Sequence, residues 1–168
     1  AIAVMNTAQA IGEYRSLGLQ DCHDIEYWPL ELYRMSLAPP PRELSGRGAL
    51  VSGAARGIGR GIALRLAAEG CHVAATDLNR EGVESLAAEI EGLHGPGRAL
   101  GIAADITDER AVERVVDATA LAWGGLDIVV SNAGIAHVSP IDRMDLADWR
   151  RSFDVNATGH FLLARAAV

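Results

Sequence analysis

Lysine is absent from this chain: all 15 basic residues are arginine. Tyrosine occurs at Tyr14, Tyr27 and Tyr33 and nowhere after them, and aromatic residues make up only 5% of the whole. The two cysteines, Cys22 and Cys71, lie too far apart for a metal-ligand spacing. They read as free thiols of a reducing compartment, with the cytoplasm as the default location. No apolar run approaches the ~20 residues of a membrane span, and the first residues lack the charged head and apolar body of a signal peptide. An excess of positive charge is missing too. A net charge of −7 argues against nucleic acid or an anionic membrane surface as partner. What is present is a folded composition, 49% hydrophobic and 22% charged over 168 residues, enough for about one domain with a real core.

The most informative stretch runs from Gly48 to Gly59. Ala49 to Val51 is an apolar run too short for a helix and reads as a buried strand. Gly53, Gly57 and Gly59 follow in the spacing G-x-x-x-G-x-G, and Arg60 to Glu69 then carries Ile62, Leu64, Leu66 and Ala67 at helical spacing. Strand, glycine turn and helix make a phosphate-binding device. Glycine lets the backbone approach a pyrophosphate, and the helix N-terminus offers unpaired N–H groups to an anion. About twenty residues beyond the glycines, Asp77 ends the second strand, Val73 to Thr76. A carboxylate there accepts both hydroxyls of an adenosine ribose and repels a 2′-phosphate; the alternative is an Asp that caps the next helix. Arg56 and Arg80 could each pair with a 2′-phosphate, but Asp77 would lie against the ribose itself, which favours NAD over NADP.

The chain then alternates strand and helix. Glu81 to Glu91 is helical, with Val83, Leu86, Ala87 and Ile90 on one face. Leu100 to Ala103 is a third strand leading to Asp105. Asp108 to about Ala122 is a helix capped by Thr107 that buries Val112, Val115, Val116 and Leu121. Leu126 to Val130 is a fourth strand ending in Ser131-Asn132-Ala133-Gly134. Asp145 to Val168 is helical with a bend near Asn156. Such alternation predicts βαβ units and a parallel sheet. Residues 1–45 differ in character: Ala3 to Leu17 and Asp24 to Met35 read as helices, and Pro39-Pro40-Pro41 as a stiff linker. His23, beside Asp21, Cys22 and Asp24, reads as a surface histidine because adjacent residues on a helix point apart, and no metal site is expected.

Asp105, at the carboxyl end of a strand, lies on the rim where such sheets bind ligands, or else caps the next helix. Asn132 can bond backbone on both sides of a crevice, and Gly134 lets the chain pass close to a ligand; Asn-Ala-Gly is equally a turn signal. Asn156 is unusual in a helix interior, where its amide competes for backbone bonds.

Four blocks, Ser52-Gly53-Ala54-Ala55-Arg56-Gly57-Ile58-Gly59, Asp105-Ile106, Ser131-Asn132-Ala133-Gly134 and Asp154-Val155-Asn156, give residues 46–168 a specific resemblance to the short-chain dehydrogenase/reductase family. Two departures are Ser52 for the usual Thr and Ser131 for the usual Asn. The resemblance implies an α/β fold, a Rossmann-like doubly wound parallel sheet truncated after about four strands, with residues 1–45 as an N-terminal helical extension. It implies a dinucleotide bound by Ser52, Gly53, Arg56, Gly57, Ile58, Gly59, Asp77, Leu78, Asp105, Ile106, Asn132, Ala133 and Gly134. It also implies hydride transfer to or from a small hydroxy or aldehyde compound, with Asn156 as a catalytic residue that holds a relay water. The family further needs a Ser and a Tyr four residues before a Lys as acid/base machinery. With no lysine and no tyrosine after Tyr33, the expectation is a segment holding a complete adenosine half-site but no turnover of its own.

The stretch Asp24 to Tyr33 with Leu37-Ala38-Pro39-Pro40 resembles the junction of bifunctional proteins in which a class II aldolase precedes a short-chain dehydrogenase, as in rhamnulose-phosphate aldolase/lactaldehyde dehydrogenase fusions. Two rival readings stay open. One is a non-catalytic nucleotide-binding or regulatory module; the other is a methyltransferase, against which the Ser131–Gly134 block and Asn156 argue. An apolar fourth-strand edge and Phe153, Phe161, Leu162 and Leu163 on the last helix predict a homo-oligomer with contacts on residues 151–168.

Overall fold

β1 (Gly48–Ser52) is buried along its whole length, as expected of a short apolar run at the centre of a parallel sheet. The computed structural model describes residues 44–168. The expected helices and linker of residues 1–43, with Tyr14, Cys22, His23, Tyr27, Trp28 and Tyr33, lie outside the described residues.

After β1 come α1 (Gly57–Ala68), β2 (His72–Asp77), α2 (Arg80–His94), β3 (Ala99–Ala103), α3 (Glu109–Trp123) and β4 (Ile128–Val130). A 3₁₀ turn (Ile141–Arg143), α4 (Leu146–Phe153), a π-type turn (Asp154–Gly159) and α5 (His160–Ala166) complete the described chain. The strands are all parallel, in the order β3-β2-β1-β4. All carboxyl ends therefore meet on one rim, and the winding direction reverses between β1 and β4. That is where open parallel sheets bind ligands. Among the described residues β4 has a strand neighbour on one side only.

Two-residue periodicity sends alternate side chains of β1 to opposite faces. Ala49 and Val51 join Ala63 and Ala67 of α1 and Val83, Leu86 and Ile90 of α2 in one core. Leu50 joins Val112, Val115 and Val116 of α3 and Leu162 and Leu163 of α5 in the other. The sheet is thus covered on both faces, a Rossmann-like fold.

Three local expectations are corrected. The ridge of α1 that is buried is Gly59, Ala63 and Ala67, small residues one turn apart, while Ile62, Leu64 and Leu66 flank it half-buried. Small side chains bring the helix backbone close to the sheet. The cap of α3 is Asp108, whose carboxylate accepts from the Arg110 and Ala111 amides; the Thr107 hydroxyl instead donates to Asp105. Leu121 is 85% exposed, because it falls on the far side of α3 from the buried Val112, Val115 and Val116. The bend expected at Asn156 is the π-type turn.

Candidate functional site

The glycine loop divides its labour. Gly53 has φ +65°, and a Cβ on it would stand 2.7 Å from Ala133 Cα. A Cβ on Gly59 would stand 2.2 Å from the Gly53 carbonyl oxygen and 2.5 Å from Asn132 Nδ2. Both are therefore required by packing of protein against protein. Gly57, at φ +60°, has nothing within 4 Å of its would-be Cβ and lines the crevice on the rim. Of the three, Gly57 is the one that leaves room for a ligand.

At Gly57 helix α1 begins. Its N-cap, Arg56, makes no side-chain capping bond, and no acidic residue lies in its first turn. The caps of α2, α3 and α4, by contrast, are Asn79, Asp108 and Asp145, each accepting from backbone amides. The first-turn N–H groups of α1 are left for an anion to satisfy.

Ser52 is fully buried and does not line the crevice. Its hydroxyl accepts from the Asn132 amide at 3.0 Å and the Ala133 amide at 3.1 Å, and faces the Val130 carbonyl at 3.4 Å. Asn132 Nδ2 returns bonds to the Ser52 carbonyl at 3.0 Å and the Gly53 carbonyl at 3.2 Å. Serine and asparagine thus lock the ends of β1 and β4 together where the sheet's winding reverses. His160 Nε2 lies 2.8 Å from the Ala133 carbonyl and holds the same turn from α5.

Two carboxylates face the crevice. Asp77, ending β2, accepts from the Ala55 amide at 3.2 Å and from the Asn79 amide at 3.0 Å. The cap of α2 is Asn79, so Asp77 is not spent as a helix cap. Asp105 accepts from both the amide and hydroxyl of Thr107, at 2.9 and 2.7 Å. Its second oxygen lies 3.9 Å from Arg151 Nη2 of α4. Burial pushes the Asp105 carboxyl up, but Thr107 and the Arg151 guanidinium outweigh it and hold the group below its ordinary value.

The crevice measures about 560 Å³, within the range of small-molecule sites. Its walls bring together Gly53, Arg56, Gly57, Asp77, Leu78, Asp105, Ile106, Asn132, Ala133 and Gly134 of the expected residues. Ser52, Ile58, Gly59 and Asn156 do not line it; Ile58 is 77% exposed and Gly59 is buried. Ala104, Ile135, Arg151 and Val155 were not anticipated. Adjacency to the four blocks could have found the first two and Val155. Arg151 carries no signal of its own, since an arginine on an amphipathic helix reads as a solvated face. Asn156 works beside the crevice: its Oδ1 accepts from the Ile135 amide and its Nδ2 donates to the Ile135 carbonyl.

A sheet of this order, an uncapped helix behind a glycine turn and two rim carboxylates are what a dinucleotide site requires. The family model described as short chain dehydrogenase matches residues 47–168. The chain belongs to the short-chain dehydrogenase family. A second family model, aldolase class II, second domain, matches residues 1–35. The uncharacterized oxidoreductase YuxG of Bacillus subtilis is 48% identical over 167 residues, 99% of this chain and 24% of that protein. The D-threitol dehydrogenase of Mycolicibacterium smegmatis is 43% identical over 123 residues, 73% of this chain and 46% of that protein. Among solved structures, the 3-ketoacyl-(acyl-carrier-protein) reductase of Brucella melitensis, complexed with NADH, is 36% identical with a TM-score of 0.68. The match covers 73% of this chain and 49% of that one. The chain thus spans about half the length of two of these relatives and about a quarter of the third. These relatives are named as oxidoreductases, and the short-chain dehydrogenase family binds a nicotinamide dinucleotide. The residues present fit that group: the uncapped turn of α1 suits its phosphates, and the Asp77 carboxylate suits ribose hydroxyls. No helix among the described residues is long and apolar enough to cross a membrane.

Proposed function

We propose that this chain supplies the adenosine half of an NAD-dependent short-chain oxidoreductase acting on a small hydroxy or aldehyde compound. The observation that carries the reading is Asp77, a carboxylate on the crevice wall at the end of β2, tied to the glycine loop through the Ala55 amide. Ribose hydroxyls can donate to such a group, whereas a 2′-phosphate is repelled by it. Arg80, one candidate partner for a 2′-phosphate, lies 3.4 Å from Glu84, which further favours NAD over NADP. The first turn of α1 binds the pyrophosphate, and Asp105 and Ile106 form the adenine end. The bound nicotinamide supplies a hydride acceptor or donor. Asn156 holds the Ile135 backbone beside Gly134. Each polar atom of its side chain makes one bond to that backbone and keeps capacity for another, which is compatible with the relay water the family resemblance implies.

Proton transfer in the family rests on a Tyr four residues before a Lys, and these 168 residues hold no lysine and no tyrosine after Tyr33. The chain by itself therefore binds without turning over. Equilibrium titration tests the reading. NAD should bind with a Kd near ~1 mM and more tightly than NADP. Asp77→Ala should weaken NAD and narrow its preference over NADP; unchanged discrimination would remove Asp77 from the ribose role.

Two further parts of the reading concern context. The match of residues 1–35 to an aldolase class II domain supports reading the chain as the junction of an aldolase–dehydrogenase fusion, and its two cysteines, read as free thiols, support a cytoplasmic location. Trp149 and Phe153, packed at 4.8 Å between ring centroids, and Phe161 are exposed on α4 and α5, which supports self-association through those helices. A well-behaved monomer in sedimentation at high concentration would oppose it.

A further inference from the structure

Gly134 sits between two residues whose backbone groups are all taken by side chains. On one side, the Ala133 amide donates to the Ser52 hydroxyl at 3.1 Å, and the Ala133 carbonyl lies 2.8 Å from His160 Nε2. On the other, Asn156 holds both the amide and the carbonyl of Ile135. Gly134 itself is exposed on the crevice wall, and its amide donates to no acceptor among the described residues. We propose that His160 is a positioning residue for the dinucleotide: by holding the Ala133 carbonyl, it aims the Gly134 amide at an acceptor oxygen of the bound ligand. The proposal rests on the dinucleotide reading and adds to it a donor and the side chain that orients that donor.

Peptide geometry is the first argument. A carbonyl oxygen only accepts, so the ring nitrogen that faces it, Nε2, bears the proton, and the neutral imidazole is the Nε2–H tautomer. The Ala133–Gly134 peptide is trans. In a planar trans unit the N–H lies opposite the C=O. With the carbonyl fixed on α5, the Gly134 N–H is therefore directed away from that helix. One hydrogen bond from His160 thus sets the direction of a donor that His160 does not touch.

Anchoring is the second. His160 opens α5, whose Leu162 and Leu163 are buried in the core with Leu50 of β1 and Val112 of α3, and whose Arg165 pairs with Glu109 of α3. A Cβ on the preceding Gly159 would stand 2.7 Å from Ile106 Cδ1, so the start of α5 is pressed against the rim residue that follows Asp105. Residues 131–140 form neither helix nor strand, so no ladder fixes the Ala133–Gly134 peptide. The bonds from Ser52, His160 and Asn156 replace a ladder on either side of Gly134. They leave one donor open where a ligand can reach it.

The test is titration of the full chain with NAD, read at assigned backbone amides by nuclear magnetic resonance, for the native protein, His160→Leu and His160→Gln. Leucine favours the helix but donates nothing, whereas a glutamine amide can donate to the same carbonyl. We expect His160→Leu to weaken NAD about fivefold or more, and His160→Gln to stay within about twofold of the native chain. At matched saturation, NAD should shift the Gly134 amide proton in the native and His160→Gln proteins and shift it less in His160→Leu. A lower urea midpoint for His160→Leu with unchanged NAD affinity would make His160 a structural residue only and overturn the proposal. Equal weakening by both substitutions would overturn it too, as would a native Gly134 amide that NAD does not shift. Should the variants fail to fold, the nitrogen resonances of the native His160 ring decide. A proton on Nε2, with the Gly134 amide shifted by NAD, supports the proposal; a neutral ring protonated on Nδ1 overturns it. A native chain that binds no NAD would sink the dinucleotide reading and this assignment with it, whereas native binding with any of the contrary results sinks the assignment alone.

Discussion

Asn156 and Ile135 exchange two hydrogen bonds: Oδ1 accepts from the Ile135 amide at 2.9 Å, and Nδ2 donates to the Ile135 carbonyl at 2.7 Å. A side-chain amide carries an acceptor and a donor side by side, so it can satisfy the amide and the carbonyl of one residue together. The π-type turn projects it out of the helix toward the loop after Gly134, so a local irregularity of the helix becomes a fixed edge of the site. Asn156→Ala should cost about 1 kcal/mol of stability, since the pair is exposed and water replaces part of it. Hydrogen exchange at the Ile135 amide should accelerate more than elsewhere; unchanged protection there would show the pair to be unimportant.

Ser52 is the buried counterpart on the other side of the loop. Its hydroxyl accepts from two amides, Asn132 and Ala133, and nothing replaces it in Ser52→Ala. Stranding those donors should lower stability by about 2 kcal/mol, measured as a shift of the urea midpoint.

Gly57 and Gly59 should respond differently to alanine. Gly59→Ala drives a Cβ to 2.2 Å from the Gly53 carbonyl oxygen, inside the backbone, and should cost about 3 kcal/mol or more. Gly57→Ala meets no atom but must hold φ +60°, a strain of about 1 kcal/mol. Its larger effect should be on dinucleotide affinity, because the new methyl group enters the crevice wall. Equal destabilisation of the two variants would contradict the division of roles.

Asp127 joins the start of β1 to the start of β4. It accepts from the Gly48 amide at 2.9 Å and from Arg47 Nη1 at 2.7 Å, and those two donors hold its carboxyl below the ordinary value of 3.8. Asp105 is held low as well, Thr107 and Arg151 outweighing burial. For a carboxyl depressed by folding, the unfolded chain binds the proton first. The stabilisation is therefore fully present above the unfolded value and is lost as pH falls through the folded one. Stability should drop on acidification through and below pH 3.8, and Asp127→Asn should flatten that slope. A slope unaltered by the substitution would exclude Asp127 as a contributor.

Cys71 is fully buried, with its thiol 3.4 Å from the Leu44 carbonyl, and burial pushes its pKa up. Thiolate is the reactive form, so in a Cys22→Ser background the native protein should be inert to a disulfide reagent at pH 8 and react only on unfolding. Rapid labelling of the folded protein would show the β2 entrance to be open.

Strands, helices and the four blocks were legible in the sequence because each is a local pattern. Alternation and helical spacing report which side of an element is apolar, and a glycine turn between strand and helix reports its own geometry. Asp77 and Asp105 could be placed on the rim from order alone, since parallel strands bring all their carboxyl ends together. What an apolar or glycine position faces is not local. The same spacing that located Gly53, Gly57 and Gly59 could not say that a Cβ would strike protein at Gly53 and Gly59 but meet open space at Gly57; that depends on Ala133 and Asn132, about eighty residues from Gly53. Leu121 reads as core until α3 is rotated against the sheet, and Thr107 reads as a cap until Asp105 takes its hydroxyl. Arg151 became a wall of the crevice only when α4 was laid across the rim. By itself the sequence determined the order of elements and which residues reach the rim, through periodicities a few residues long. The tertiary structure alone decided which of them face a ligand and which face one another, because that is set by contacts between segments remote in the chain.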